Sequence, residues 1–139
     1  MRRVAIALLA AAAAVGGCDS QPAPHVESPA SRLIRDWLMA LDHGDYGHAA
    51  RFFAPGAVVD EGHRFRLDKP GERRFFNATL PCRADLLRVQ GEAHGRVVAT
   101  FRLKAGPGGA CDGLSRIRYR IERGRFTEYR LLGPPGTEA

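Results

Sequence analysis

The period of the hydrophobic positions changes along the chain, and each change predicts an element. Val4 to Val15 is an almost unbroken apolar run. From Pro29 the apolar residues Leu33, Ile34, Trp37, Leu38 and Leu41 recur at steps of three and four. Arg32, Arg35 and Asp36 fall elsewhere, which predicts an amphipathic helix. Ser28 can cap it, with Pro29 at the first position, where a missing N–H costs nothing. Gly44 can end this helix in a left-handed conformation. Asp45 can cap a second one, whose Tyr46, Ala49, Ala50 and Phe53 line one stripe before Ala54-Pro55-Gly56 stops it. A short strand is expected over Ala57 to Asp60, with His63 to Leu67 as a ragged partner. A third helix runs from Pro70 to about Thr79 and carries Phe75 and Phe76.

From Cys82 the period falls to two. Ala84, Leu86 and Arg88 alternate with Asp85, Leu87 and Val89, and Gly91 to Gly95 turns the chain. Val97, Ala99, Phe101 and Leu103 then share a face, as do Ile117, Tyr119 and Ile121 further on. Between those strands, Gly106-Pro107-Gly108-Gly109 reads as a loop and not a phosphate cradle, since no helix follows it. Arg123-Gly124 turns the chain into Phe126 to Leu132. Two short helices with one apolar face each cannot bury those faces alone. Helices followed by a run of hairpin-connected strands predict an α+β domain, the helices packed on one face of an antiparallel sheet.

The opening run is too short to span a bilayer, which needs about 20 apolar residues. Arg2 and Arg3 ahead of it, and Val15-Gly16-Gly17-Cys18 at its end, suit an export signal. The last four residues resemble the bacterial lipobox, which makes Cys18 the expected lipidation site, with a coincidental cysteine after an ordinary secretory signal as the plainer alternative. The expected partition is a lipoprotein signal over 1–18, a flexible tether over 19–28, a domain over 29–132 and a loose tail over 133–139. That places the domain on the outer side of a cell membrane, held by lipid. Asp19 resembles an inner-membrane retention signal.

Export changes the meaning of the three cysteines. With Cys18 taken by lipid, Cys82 and Cys111 are expected to form a disulfide, the ordinary fate of two thiols outside the cytosol. The loop they close makes it worth ~3–4 kcal/mol in the chain-entropy account, a large share for a domain of about 110 residues. A zinc site would need more ligands at tighter spacing. His43 and His48, flanking the turn at Gly44, are better placed to complement helix ends than to bind metal. Neither a metal nor a cofactor is expected. Without Arg2 and Arg3 the formal charge falls from +6 to +4. All basic residues except Lys69 and Lys104 are arginine, which fits a GC-rich genome. Export argues against nucleic acid as the partner. Arg116, Arg118 and Arg120, beside Arg102 and Lys104, form a basic patch on the sheet's outer face, either simply solvated or docking on anionic lipid. Asn77-Ala78-Thr79 matches a glycosylation sequon, a chance match in a bacterial chain.

Trp37 to Leu41, Gly44-Asp45-Tyr46 and Phe52 to Val58 together resemble the opening of the NTF2-like superfamily, which includes SnoaL-like proteins. Glu122 to Tyr129 is similar to the closing hairpin of such domains, and the likeness covers about Pro29 to Leu132. It implies a cone whose helices and curved sheet enclose a cavity, often in homodimers. Trp37, Tyr46, Phe53, Phe76, Phe101, Tyr119 and Tyr129 would wall that cavity, or simply fill it.

Enzymes of this superfamily use carboxylates inside the cone. Here Asp60 and Glu61, with His63 two residues on, are the candidates for acid–base work, and they read equally well as a solvated turn. Two functions therefore stand. One is a membrane-tethered, non-catalytic module that binds a small apolar ligand or a protein. The other is a small isomerase, hydrolase or cyclase using a carboxylate in the cone. They separate on whether any of those three side chains enters a pocket.

Overall fold

The computed structural model describes residues 26–136. The apolar run, Cys18 and Asp19 lie outside the described residues. Among the described residues three helices, α1 (Pro29–Asp42), α2 (Tyr46–Arg51) and α3 (Pro70–Thr79), accompany six strands: β1 (Phe53–Asp60), β2 (Arg64–Leu67), β3 (Arg83–Gly91), β4 (Arg96–Lys104), β5 (Leu114–Glu122) and β6 (Arg125–Leu132). The strands form one curved, unclosed sheet in the order β2-β1-β6-β5-β4-β3. All neighbours run antiparallel except β1 and β6, which are parallel. That pair joins the first strand of the chain to the last, a contact no hairpin reading supplies.

The helix ends follow from local chemistry. The Ser28 hydroxyl accepts the Ser31 N–H at 3.1 Å, and the Asp45 carboxylate accepts the His48 N–H at 2.9 Å. Gly44 between the two helices has φ +66°, which a side chain would strain. At α3 the Lys69 N–H donates to Glu72 Oε2 at 2.9 Å. One boundary differs from expectation. Helix α2 ends at Arg51, so Phe53 opens β1, and that strand continues through Ala54-Pro55-Gly56. The interruption there is a bulge: pairing with β6 jumps from Phe53↔Phe126 to Val58↔Glu128. Proline, lacking an N–H, belongs at such an unpaired position.

Two further bulges bend the sheet. One falls between Leu86 and Arg88, so that Leu86 faces Phe101 while Val89 faces Ala99. Strict alternation had put Val89 opposite in sense to Ala84 and Leu86. The extra residue, Leu87, returns Val89 to the core side and turns Arg88 outward. The other falls at Arg120/Ile121, where Thr127 is the unmatched residue of β6.

Helix α1 buries Ile34, Trp37, Leu38, Ala40 and Leu41. Trp37 sits among rings: Phe53, Tyr119, Phe126 and Tyr129 surround it edge-on at 5.9, 6.2, 5.7 and 6.3 Å between centroids. Such pairs are worth ~0.5–1.5 kcal/mol each beyond their burial. Cys82 and Cys111 are disulfide-bonded, with Cα atoms 5.8 Å apart. The bond ties the entry of β3 to the loop that leads into β5. Gly108 reinforces it by donating its N–H to the Pro81 carbonyl at 2.8 Å.

Candidate functional site

The parity of β1 decides which acidic residue meets the interior. Val59 pairs with Tyr129 on the core side, so Asp60, paired with Arg130, falls on the outer face. There the Asp60 carboxylate accepts the Gly62 N–H at 3.3 Å and lies 3.9 Å from Arg130 and 4.0 Å from Arg64. Glu61, one step on, returns to the inner side. The structure thus divides the Asp60, Glu61 and His63 trio: Asp60 belongs to a surface ion cluster, and Glu61 and His63 reach a hollow.

That hollow has two chambers. The inner one, about 240 Å³, lies between α1 and the sheet and is walled by Trp37, Leu38, Leu41, Ala84, Phe101, Leu103, Ile117 and Leu131. Its side-chain polar groups are few: Glu61, Ser115 and Tyr129. The outer one, about 580 Å³, is an open cleft between β2 and α3 with His63, Phe65, Phe75, Phe76 and Glu72 on its walls. Glu61, Leu80 and Pro81 line both. Glu61 therefore stands where the cleft narrows into the apolar chamber. Phe75, 70% exposed, offers the cleft an apolar wall that no described residue covers.

The electrostatics follow the placement. Partial burial holds the Glu61 carboxyl above the usual carboxylate range, and the nearby His63 opposes that rise. Burial raises the Tyr129 hydroxyl far above an ordinary phenol, and the charge of Glu61 adds to the effect. Burial likewise raises Tyr119, with Tyr129 contributing. No hydrogen bond orients the Glu61 carboxylate among the described residues; its backbone N–H reaches the His63 carbonyl at 3.2 Å, and the His63 ring stacks on Phe65 at 5.3 Å.

The seven aromatic candidates divide. Trp37, Phe101 and Tyr129 line the inner chamber and Phe76 the outer cleft. Tyr119 is wholly buried in the ring cluster, and its hydroxyl has no hydrogen-bond partner among the described residues. Phe53 is core, its edge reaching a different hollow beneath α2. Tyr46 sits at the rim, where Arg83 donates to its hydroxyl at 2.9 Å and lies 5.8 Å from its ring centroid.

The basic residues of the outer sheet face are threaded with acids that pattern reading passed over. Arg118 makes a two-pronged bond to Glu92 at 2.7 and 3.1 Å, which lowers the Glu92 carboxyl. Arg96 and Arg120 flank Glu128 at 3.6 and 3.9 Å. Lys104 reaches Asp85 at 2.8 Å and Asp42 at 3.4 Å, and the bond to Asp85 raises the ammonium further. Arg116 donates to the Gly133 carbonyl at 3.3 Å, and Arg102 is exposed. Opposite charges interleaved on adjacent strands make this face a network.

Sequence reasoning also missed the part played by Asn77. The sequon asparagine is wholly buried. It accepts the Trp37 indole N–H at 2.7 Å and donates to the Arg73 carbonyl at 2.7 Å. The signal available was its place on α3, one step from Phe76. No group of three or more metal-ligating side chains gathers among the described residues, and no described helix is long and apolar enough to cross a membrane.

No family model matches the chain, and no curated protein resembles it significantly. Solved structures do. An NTF2-like protein of unknown function from Cytophaga hutchinsonii superposes with a TM-score of 0.60 at 11% identity, over 81% of this chain and 95% of the other. A provisionally assigned polyketide cyclase from Sinorhizobium meliloti gives 0.59 at 18% identity, over 76% and 100%. A provisionally assigned ketosteroid isomerase from Kribbella flavida gives 0.61 at 13%, over 80% and 82%. With helices gathered over a bent, unclosed sheet and a hollow between them, this chain has the NTF2-like fold.

Proposed function

We propose that the domain is a binding module for a small, largely apolar molecule, held outside the cytosol by lipid on Cys18. The observation that carries the binding reading is the inner chamber: nearly continuous aliphatic and aromatic walls, entered past a single carboxylate. Apolar burial supplies affinity, and Glu61 supplies orientation to a ligand carrying one hydrogen-bond donor. The chamber alone is small for a ligand site, so the ligand extends into the cleft along Phe75 and Phe76. The export reading is supported by the apolar run, by the small residues before Cys18, and by a domain stapled through Cys82 and Cys111.

Native mass spectrometry of the full chain, extracted from the membrane fraction of its producing cell, tests both parts. A co-purifying apolar compound is expected, lost when Ala84→Phe fills the chamber, and Cys18→Ser should release the protein from the membrane fraction. Ligand occupancy unchanged by Ala84→Phe would refute the binding site. Subunit count reads out in the same spectra. The charged outer face is unsuited to an apolar dimer interface.

A second reading has its own observation. The Glu61 carboxyl is raised by burial beside His63 and Tyr129, as a proton-transferring group requires. Two of the structural neighbours carry provisional enzyme names, a polyketide cyclase and a ketosteroid isomerase. Binding is preferred because among the described residues the carboxylate lacks a partner to hold it in place, and catalytic groups need one. Glu61→Gln separates the two: an enzyme loses turnover of the bound compound with little loss of affinity, whereas a binding module loses affinity and has no turnover to lose.

A further inference from the structure

A second hollow, of about 440 Å³, opens between α2, the start of α3 and the β5–β6 turn. Four arginines line it: Arg51, Arg73, Arg74 and Arg125. No carboxylate among the described residues does. On the outer sheet face Glu92, Glu128 and Asp60 answer the arginines, but among the described residues none of these four makes an ion pair. Arg73 is held from one side only, its Nη1 donating to the backbone carbonyls of Leu67 at 3.3 Å and Asp68 at 3.0 Å. These contacts fix the guanidinium without neutralising it. Arg51 Nη2 lies 3.1 Å from His48 Nδ1, which is no carboxylate. Asp45 lies nearby, but its carboxylate is bound to the His48 N–H and does not line the hollow.

Four like charges converging on one concavity repel each other, so the chain alone gains nothing by the arrangement. A multivalent anion would relieve it. Guanidinium groups present forked donors that match phosphate oxygens two at a time. Helix α3 also begins here: Pro70 and Gly71 line the hollow, and a Cβ added at Gly71 would meet nothing within 4 Å. Glu72, in the same turn, accepts the Lys69 N–H and lines the neighbouring cleft, so the positive charge of this hollow is that of the four arginines. A monocarboxylate would leave most of the charge unanswered, and the volume exceeds a bare phosphate.

We infer that this hollow is a binding site for a phosphate-bearing ligand, either a soluble phosphomonoester or a phospholipid headgroup. It shares only Gly71 with the cleft beside Glu61, and does not depend on what that cleft binds.

The test uses the full chain, isotopically labelled, in a nonionic detergent. Inorganic phosphate is titrated against chloride at equal ionic strength while the Gly71 amide and the arginine Nε–H signals are followed. Saturable shifts selective for phosphate are expected. The double variant Arg74→Ala/Arg125→Ala removes two exposed arginines that make no ion pair among the described residues, and it should weaken phosphate binding about tenfold or more. The charge-matched variant Arg32→Ala/Arg88→Ala, elsewhere on the surface, should leave it unchanged. Flotation of the full chain carrying Cys18→Ser, which removes the proposed lipid, with phosphatidylcholine vesicles, with and without phosphatidylglycerol, then identifies the source. Binding to the anionic vesicles that is lost in the Arg74/Arg125 variant assigns the headgroup, and vesicle binding indifferent to that variant assigns the soluble phosphomonoester. Equal responses to chloride and phosphate, or equal losses in the two double variants, overturn the inference.

Discussion

Asn77 is the most consequential polar residue of the interior, and its removal tests the packing account directly. It has no exposed surface, and it links α3 to the ring cluster through the Trp37 indole N–H at 2.7 Å. In Asn77→Ala that donor stays buried with no acceptor, costing ~1–3 kcal/mol. The vacated carboxamide space adds roughly 1 kcal/mol as an unfilled cavity. The Arg73 carbonyl loses the Asn77 side chain at 2.7 Å but keeps its helical partner, so little is added there. The expected loss is therefore about 2–4 kcal/mol, against a total stability of ~5–15 kcal/mol. Urea unfolding with the disulfide intact measures it. Trp37 is the only tryptophan, so its fluorescence reports the site that was altered. The midpoint should fall by roughly 1–3 M at an unchanged slope. A double-mutant cycle sharpens the result. Trp37→Phe removes the donor, and with it most of the penalty for lacking Asn77, so the two changes should couple by about 1–2 kcal/mol. Circular dichroism follows the variants without tryptophan. A loss below about 0.5 kcal/mol for Asn77→Ala, or strict additivity in the cycle, would refute the reasoning.

Three further outcomes are expected. Because burial raises the Glu61 carboxyl, the folded state holds its proton more tightly than the unfolded chain. Stability from this group thus falls as pH climbs above the ordinary carboxylate value of 4.5, and Glu61→Gln should raise the melting temperature at pH 7 but not at pH 4. In Gly106→Ala the new Cβ would stand 2.7 Å from the Pro81 carbonyl oxygen and 2.8 Å from Arg83 N and Cys82 C, all backbone. A loss of ~2–3 kcal/mol is expected in urea unfolding, with Gly91→Ala, which meets nothing, as the silent control. Tyr119→Phe removes a buried hydroxyl that has no partner among the described residues, so calorimetry should find it neutral or stabilising by up to ~1 kcal/mol.

The helices were legible because their signals are local. The Ser28 and Asp45 caps, the Gly44 turn and the Pro70 start are each fixed within four residues, and the bounds of α3 coincide with the sequence reading. Strand existence was legible for the same reason, through alternation. What alternation cannot carry is an inserted residue. Leu87 is as apolar as Leu86 and Val89, so nothing marked it as the bulge that turns Val89 inward. The parallel pairing of β1 with β6 joins residues more than sixty positions apart, and neither strand bears a mark of its partner.

The same distinction governs the candidate site. Ala57, Val58 and Val59 are all apolar, so the parity of β1 was ambiguous, and Asp60 and Glu61 stood as equals. Pairing with Tyr129 resolves them: the strand neighbour that shares a face with the ring cluster forces Asp60 outward and Glu61 inward. Charge behaves likewise. A run such as Arg116, Arg118 and Arg120 looks like a patch in one dimension, yet Glu92 and Glu128, from other parts of the chain, answer two of its members. Arg51, the Arg73-Arg74 pair and Arg125 are scattered along the chain, yet the fold gathers them where no acid among the described residues follows. Local charge density is thus a poor guide to surface potential in a sheet protein. Each strand's neighbours set the balance, and the uncompensated cluster is the one that tertiary structure assembles.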